Sequence, residues 1–266
     1  MYNYTILESI LFPPTIINDK QLRAKLAHKT ILITGASSGI GEQLVYQLGN
    51  IECHLVLVAR RWDKLQNIKR LMEQQKADVM IYQADLRNAE ELQGFLSYLN
   101  QLSIGIDVFV NNAGLSIKRS IFDSLDRFHD FSRTMSINYE APVQILLSII
   151  PILEKSRGHI INISTVNALL NPFPNFAAYQ ASKLAFDTWL RSASPELQAR
   201  GIATTSVYLP LVRTPMIEPT VVYHNMPAMS PLHVATIVCK LMYTRKKRKK
   251  PWWIFIGQFF SFFYRA

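Results

Sequence analysis

Tyr179 and Lys183 are the side chains in this sequence whose types and spacing best suit proton chemistry. Four residues apart on a helix, a phenol and an ammonium lie on the same face. A tyrosine has a pKa of about 10 and gives up its proton reluctantly at neutral pH. A cation one turn away favours the phenolate, so we expect Lys183 to lower the pKa of Tyr179. The pair alone is common, and a half-buried tyrosine beside a surface lysine would look the same.

A glycine-rich segment supplies a second signal. Residues 34–41 read Thr-Gly-Ala-Ser-Ser-Gly-Ile-Gly between a predicted strand and a predicted helix. Gly35 permits a tight turn, while Gly39 and Gly41 let the backbone and the helix approach a pyrophosphate, to which the helix N-terminus offers free N–H groups. This context predicts a dinucleotide site. Its predicted binding residues are Gly35, Ser37, Ser38, Gly39, Ile40 and Gly41.

The residues after the second predicted strand indicate which dinucleotide is bound. An NAD site places an acidic residue there to accept the ribose hydroxyls. This sequence has Arg60 and Arg61, with Lys64 one turn later, and no acid before Asp63. A guanidinium can bind a 2′-phosphate through two hydrogen bonds, whereas a carboxylate would repel it. The sequence therefore predicts NADP(H) as the cofactor.

The elements that must position these residues alternate along the chain. Near-continuous aliphatic runs, typical of strands buried on both faces of a parallel sheet, occupy residues 30–34, 54–59, 79–83, 107–110, 159–163 and 204–208. Segments of helical length and period lie between them, including residues 40–48, 64–75, 88–101 and 177–200. We therefore predict an α/β fold: a doubly wound, mostly parallel sheet with helices on both faces, a single-domain Rossmann fold.

The predicted domain covers residues 29–244, after an N-terminal extension at residues 1–28. Residues 245–266 contain a basic run, followed by a predicted closing edge strand at 252–256, a turn at Gly257 and a helical aromatic end at 258–264. This end could pack on its own domain or a second subunit, line a lipophilic pocket, or anchor the protein at the inner face of a membrane. The last reading fits the attraction of cations to anionic head groups.

Composition narrows the class of protein. Hydrophobic residues make up 49% of the chain, enough for a core. The net charge is +10, but residues 245–250 supply six of those charges, so we expect no nucleic-acid partner. The two cysteines lack metal-ligand spacing, and no metal site is predicted. We see no secretory signal and no apolar stretch of about 18–20 residues, and therefore expect a cytoplasmic protein.

Taken together, the motifs resemble those of the short-chain dehydrogenase/reductase family. The Thr-Gly-x-x-x-Gly-x-Gly form, the Asn-Asn-Ala-Gly run at residues 111–114 and the Tyr-x-x-x-Lys pair occur in the family's order. The resemblance implies that Tyr179 protonates a carbonyl oxygen, that Lys183 holds the nicotinamide ribose and that Asn138 holds a relay water. It also implies a homo-oligomer, a dimer or tetramer.

Further site residues follow from this resemblance. A hydroxyl is expected at the end of the fifth strand, and Thr165 is the first choice, with Ser164 as the alternative. Leu211 replaces the glycine of the family's loop beside the nicotinamide. The remaining cofactor-binding residues implied are Asp85, Leu86, Asn111, Ala113, Gly114, Pro210, Val212 and Thr214.

Residues 124–131 and 210–220, together with the Tyr/Lys region, are similar to bacterial fatty-acyl-CoA reductases of the short-chain type. That resemblance covers roughly residues 29–240 and implies reduction of a long-chain acyl thioester, by way of a hemithioacetal, to an aldehyde and a thiol. Two alternatives stay open: an alcohol/ketone dehydrogenase acting on another lipophilic substrate, and a nucleotide-binding protein without turnover.

Overall fold

The sheet has seven strands, all parallel, in the order β3-β2-β1-β4-β5-β6-β7. The computed structural model describes residues 3–256 and residue 258. The strands are β1 (Thr30–Thr34), β2 (His54–Ala59), β3 (Asp78–Gln83), β4 (Val108–Asn111), β5 (His159–Thr165), β6 (Ala203–Leu209) and β7 (Arg248–Lys249). The order reverses direction beside β1, and the carboxyl ends of all strands meet at one edge. Such an edge is where ligands bind in open α/β sheets.

Helices connect the strands and cover both faces of the sheet. They are α1 (Ile6–Leu11), α2 (Asp19–Leu26), α3 (Gly39–Leu48), α4 (Trp62–Met72), α5 (Ala89–Gln101), α6 (Phe128–Met135), α7 (Ala141–Ser156), α8 (Ala177–Ala199) and α9 (Pro231–Thr244). A π-helical turn, Ser136–Glu140, joins α6 to α7. The predicted doubly wound Rossmann fold is confirmed, and the six predicted strands start and end within two residues of the observed ones.

Side chains of the strands point alternately to the two faces of the sheet, and each face has its own hydrophobic core. In β1, Ile31 and Ile33 belong to one buried cluster, which α3, α4 and α9 also line. Leu32, between them, faces the second cluster, formed with α5, α7 and α8. Successive side chains of a strand point to opposite faces, so a run that is apolar throughout must be covered on both sides.

The predicted edge strand at residues 252–256 is wrong. The edge strand is β7, within the basic run, where Arg248 and Lys249 pair with Ser206 and Val207. Pro251 follows after one further residue, and a proline has no N–H to continue the ladder. The chain beyond it makes a turn and enters a short helical segment. The predicted turn at Gly257 and the helical end at 258–264 lie outside the described residues, apart from Gln258.

Residues 3–28 pack against the rest of the chain. Phe12, Leu22 and Leu26 are buried in the same cluster as α9. Glu8 is buried as well and forms an ion pair with Arg213, in the loop after β6. These contacts join α1 and α2 to segments about two hundred residues away along the chain.

One helix in the described part of the chain, Phe128–Ser156, is long and apolar enough to cross a membrane by length and composition. The sequence predicts no apolar stretch of this length, because α6, the π turn and α7 are not predicted from it as one continuous helix. Ile145, Ile149 and Leu153 are buried in the second cluster, as in a core helix of a globular domain.

Candidate active site

A cavity of about 720 Å³ opens at the carboxyl edge of the sheet. Tyr179, Lys183, Thr165 and Arg60 all line it, although they come from α8, β5 and the end of β2. The sheet register brings the ends of neighbouring strands to the cavity. Thr165 ends β5 opposite Leu209, the last residue of β6. Most of the predicted site residues therefore share one cavity.

The glycine-rich turn forms the floor of one end of this cavity. Gly35 has a φ of 66°, a left-handed conformation that favours glycine. A Cβ on Gly41 would lie 2.5 Å from the carbonyl oxygen of Gly35, so a side chain there would push the turn open. Ser37, Ser38, Gly39 and Ile40 line the cavity, whereas Gly41 lies behind the wall. The N-terminus of α3 faces the turn, as an anion site requires.

Two arginines follow β2 and reach the cavity in different ways. The Arg61 guanidinium donates to the Ser37 hydroxyl at 3.1 Å and to the Ser37 carbonyl at 3.3 Å, which holds it against the glycine turn. The Arg60 guanidinium lies 3.8 Å from the Asp85 carboxylate and is mostly exposed. Lys64, in contrast, is exposed on α4 and does not line the cavity.

Asp85 is already engaged by a residue that the sequence analysis missed. Arg87 donates to both carboxylate oxygens, at 2.6 Å from Nη2 to Oδ2 and 2.9 Å from Nε to Oδ1. Burial alone would raise the pKa of Asp85, but these hydrogen bonds outweigh it and hold the pKa below its ordinary value. Arg87 lines the cavity with Leu86, and its place two residues after Asp85 was the available signal.

The pKa of Tyr179 is raised to about 12, not lowered as expected from Lys183. Burial of the phenol is the main cause, and a hydrogen bond with Thr165 acts in the opposite direction. Lys183 is desolvated too, which lowers its pKa to about 8, and its Nζ donates to the carbonyl of Ile163 at 3.1 Å. Both side chains do share one face of α8, but the ammonium is directed to the end of β5.

Thr165 and Ser164 were the alternatives for the hydroxyl beside Tyr179. Thr165 is the one hydrogen-bonded to the phenol. The Ser164 hydroxyl is buried and has no hydrogen-bond partner in the described part of the chain, although Ser164 also lines the cavity. Neighbouring residues of a strand point to opposite sides, so only one of the two can face Tyr179.

Asn138 lies in the π-helical turn and does not line the cavity. Its amide donates to the carbonyl of Leu115 at 2.8 Å and to the hydroxyl of Ser182 at 2.9 Å. Its side-chain oxygen accepts from the N–H of Leu115 at 3.0 Å. Asn138 thus fixes the chain after Gly114 against α8, close to Lys183. Single π turns of this kind occur often at functional sites.

The Asn-Asn-Ala-Gly run follows β4, and its members differ in role. Asn111 is buried and donates to Asn162 within the sheet at 3.2 Å, away from the cavity. Asn112, which the sequence analysis did not select, donates to the carbonyls of Thr34 and Gly35 at 2.9 and 3.2 Å and so braces the glycine turn. Ala113 and Gly114 line the cavity.

The loop after β6 forms another part of the cavity wall, and Pro210, Val212 and Thr214 line the cavity there. Leu211, which stands where the family has glycine, uses its carbonyl to accept from the N–H of Met229 at 2.8 Å. A Cβ on Gly39 would lie 2.9 Å from the Thr214 methyl, so the loop closes tightly on the turn.

Large apolar side chains from distant parts of the chain complete the cavity; only for the C-terminal end, which carries Trp253, was a place in a lipophilic pocket among the alternatives predicted from the sequence. They are Leu11, Phe12, Phe173, Phe176, Met216, Ile217, Tyr223, Met226 and Trp253. Leu11 and Phe12 come from the extension and Trp253 from the C-terminal segment. No local pattern links such residues, because they meet only when the chain folds.

The donor set of the cavity fits a dinucleotide phosphate. Glycines leave room for a pyrophosphate at the start of α3, where a Cβ would clash. Three guanidinium groups, those of Arg60, Arg61 and Arg87, line the same end. Within residues 3–256 and 258, no cluster of histidine, cysteine, aspartate and glutamate could hold a metal ion.

Comparisons with known proteins agree with this geometry. Among curated relatives, the chain is 39% identical over 227 residues to a fatty acyl-CoA reductase of Acinetobacter baylyi, covering 85% of this chain and 77% of the relative. It is 37% identical over 241 residues to a fatty acyl-CoA reductase of Mycobacterium tuberculosis, covering 90% and 82%. The resemblance to bacterial fatty-acyl-CoA reductases is therefore confirmed as a similarity of sequence.

Solved structures share the fold. A short-chain dehydrogenase from Sphingobium yanoikuyae in complex with NADPH aligns with a TM-score of 0.76 and 24% identity, over 83% of this chain and 86% of that one. A metagenomic short-chain oxidoreductase in complex with NADP aligns with a TM-score of 0.70 and 26% identity, over 85% and 99%. The family model for short chain dehydrogenases matches residues 29–222. The chain belongs to the short-chain dehydrogenase family of oxidoreductases.

Proposed function

We propose that this protein is an NADPH-dependent reductase of a carbonyl group on a lipophilic substrate, in particular a long-chain fatty acyl thioester or aldehyde. The observation that carries the proposal is a single cavity in which Tyr179 and Thr165 lie between a glycine turn with arginines and an apolar wall. The two curated relatives named above are fatty acyl-CoA reductases, which supports the same substrate class.

The bound cofactor would supply hydride to the carbonyl carbon. Tyr179 is the proton donor for the carbonyl oxygen, and its raised pKa keeps the phenol protonated at neutral pH. Thr165 holds the same oxygen through its hydroxyl. Lys183, buried beside Gly114, binds the ribose of the cofactor and is itself held by the carbonyl of Ile163. With a thioester, addition of hydride and proton gives a hemithioacetal, whose C–S bond then breaks as the hydroxyl proton passes to the sulfur, so that one aldehyde and one free thiol are formed.

Assays of purified protein with NADPH and palmitoyl-CoA, a long-chain aldehyde or a simple ketone test the substrate. We expect NADPH oxidation with the CoA ester, accompanied by one free thiol for each NADPH consumed. Oxidation of NADPH with the ketone alone would favour a generic alcohol/ketone dehydrogenase. Tyr179→Phe removes the proton donor, and we expect turnover to fall by about 10²–10⁴-fold while NADPH still binds. A protein that binds NADPH but reduces none of the three substrates would overturn the proposal.

Preference for NADPH over NADH rests on Arg60 and Arg61. Replacing both by alanine removes two cations that can bind a 2′-phosphate, so the NADPH/NADH ratio of kcat/KM should fall by about 10²-fold or more, as charge-assisted hydrogen bonds are worth about 1.5–3 kcal/mol each. Arg70→Ala is the matched control, because Arg70 bonds Asn67 on α4 and does not line the cavity. Equal rates of the unaltered protein with both cofactors would contradict the role of the arginines.

A further inference from the structure

Six large apolar side chains form an exposed surface around the joint between the two ends of the described chain. Ile6, Leu7 and Ile10 lie on α1, with Ile6 85% exposed, and Phe255 is 63% exposed. The indole Nε1 of Trp252 donates to the carbonyl of Ile10 at 3.1 Å and joins the two segments. The apolar rim is defined as Ile6, Leu7, Ile10, Trp252, Phe255 and Ile256. Apolar patches of this kind mark interaction sites.

Cations border the apolar rim. The Lys250 ammonium lies 4.5 Å from the centre of the Phe255 ring. Burial and the positive charge of Lys249 both lower the pKa of His233, to about 4. The His233 ring is in turn hydrogen-bonded to Tyr4 and Thr15 of the extension, at 3.1 and 3.2 Å. Lys250 therefore lies at the rim, and Lys249 precedes it in β7.

Residues next to the apolar rim along the chain line the cavity. Leu11 and Phe12 follow Ile10 along the chain and line the cavity, and Trp253 follows Trp252 and does the same. The segments that carry the rim therefore also supply apolar side chains to the cavity wall.

We propose that the apolar rim docks on an anionic lipid bilayer, with Lys249 and Lys250 against the head groups. The substrate then enters the cavity from the bilayer, a point that rests on the proposed function. Apolar and aromatic side chains flanked by lysines are the composition of interfacial membrane surfaces. A second copy of the chain fits less well, because a two-fold interface would bring the same lysines of both subunits together, in a chain of net charge +10.

Vesicle flotation tests the docking without any need for turnover. Full-length protein is mixed with vesicles of phosphatidylcholine alone, or of phosphatidylcholine with phosphatidylglycerol. We expect it to float with the anionic vesicles and to be released as salt is raised. Ile10→Asp with Phe255→Asp should weaken binding at least about tenfold, because two apolar side chains leave the lipid. Lys249→Gln with Lys250→Gln should weaken it about 30-fold on anionic vesicles.

Leu71→Asp is the matched control, since Leu71 is 54% exposed on α4, which packs on β2 and β3, at the other edge of the sheet. Its flotation should equal that of the unaltered protein. Reduction of a short soluble aldehyde and the melting temperature should be the same in all variants, which separates docking from catalysis and folding. Unaltered protein that stays in the aqueous fraction with anionic vesicles would overturn the proposal, as would rim variants that float like Leu71→Asp. So would a rim variant that changes only the mass of the protein in solution, since that result assigns the rim to a second copy.

Discussion

Tyr179 and Thr165 reach the cavity from α8 and from the end of β5, and their hydroxyl groups are hydrogen-bonded. The spacing of Tyr179 and Lys183 suggests a phenol made acidic by its neighbour, but desolvation has the larger effect. A phenol with a pKa of about 12 is a proton donor rather than a base at neutral pH. At the scale of single residues, burial therefore keeps the Tyr179 phenol protonated at neutral pH.

Substitution of the two hydroxyls should separate their roles. Thr165→Val keeps the shape of the side chain but removes the group bonded to Tyr179, so we expect kcat to fall by about 10²–10³-fold, as for loss of a donor to a developing oxyanion. Thr165→Ser keeps the hydroxyl and should retain most of the activity. Ser164→Ala should change kcat little, because its hydroxyl has no partner among the described residues. Steady-state kinetics with NADPH give the comparison, and equal losses in Thr165→Val and Ser164→Ala would contradict the assignment.

At the scale of elements, α1 fixes the loop that closes the cavity. Glu8 is 2% exposed, pairs with Arg213 and accepts from the N–H of Ala228 at 3.0 Å. Burial by itself would raise the pKa of Glu8, but these interactions, with those from Thr5, lower it below the ordinary value of 4.5. One carboxylate thus connects the extension to both ends of the segment between β6 and α9.

The effect of Glu8→Gln on stability, measured as a function of pH, tests this connection. A carboxyl group whose pKa is lowered by folding stabilises the folded state above its unfolded pKa, and this contribution is lost as the pH falls through the folded pKa. Near neutral pH, we therefore expect the variant to melt at a lower temperature than the unaltered protein. Its free energy of unfolding should be lower by about 1–3 kcal/mol, the cost of a partly unsatisfied buried group. The difference should shrink below pH 4.5, where the unfolded carboxyl is protonated. A difference that is constant with pH would show that the charge on Glu8 contributes nothing.

At the scale of the whole molecule, apolar surfaces that remain exposed after folding are the places where a partner can bind. The helix Phe128–Ser156 is strongly apolar, yet only 39% of its most apolar window is buried, and Leu147 of α7 is 63% exposed. Exposed apolar side chains on such a helix are typical of subunit interfaces. It lies on a different element from the apolar rim, so membrane docking and assembly need not compete.

We accordingly expect a homo-oligomer that uses α7. Leu147→Lys places a charge at the interface, where it would be desolvated, and should lower the mass measured by light scattering to that of one chain. Leu71→Lys, on α4, is the comparison and should leave the mass of the assembly unchanged. Identical masses for the unaltered protein and Leu147→Lys would remove α7 from the interface.

The sequence alone determined the parts of this protein that are local along the chain. The strand, glycine turn and helix at residues 30–48, and the Tyr179/Lys183 pair, are each set by neighbours within a few residues, so their spacing predicted fold class and chemistry. What depends on packing was decided only by the tertiary structure. The pKa of Tyr179 follows from what surrounds the phenol, and the pair of Glu8 and Arg213 joins residues 205 positions apart. The short edge strand in the basic run likewise forms because β6 presents free backbone groups there. Nothing in the types of residues 248–249 predicts that pairing.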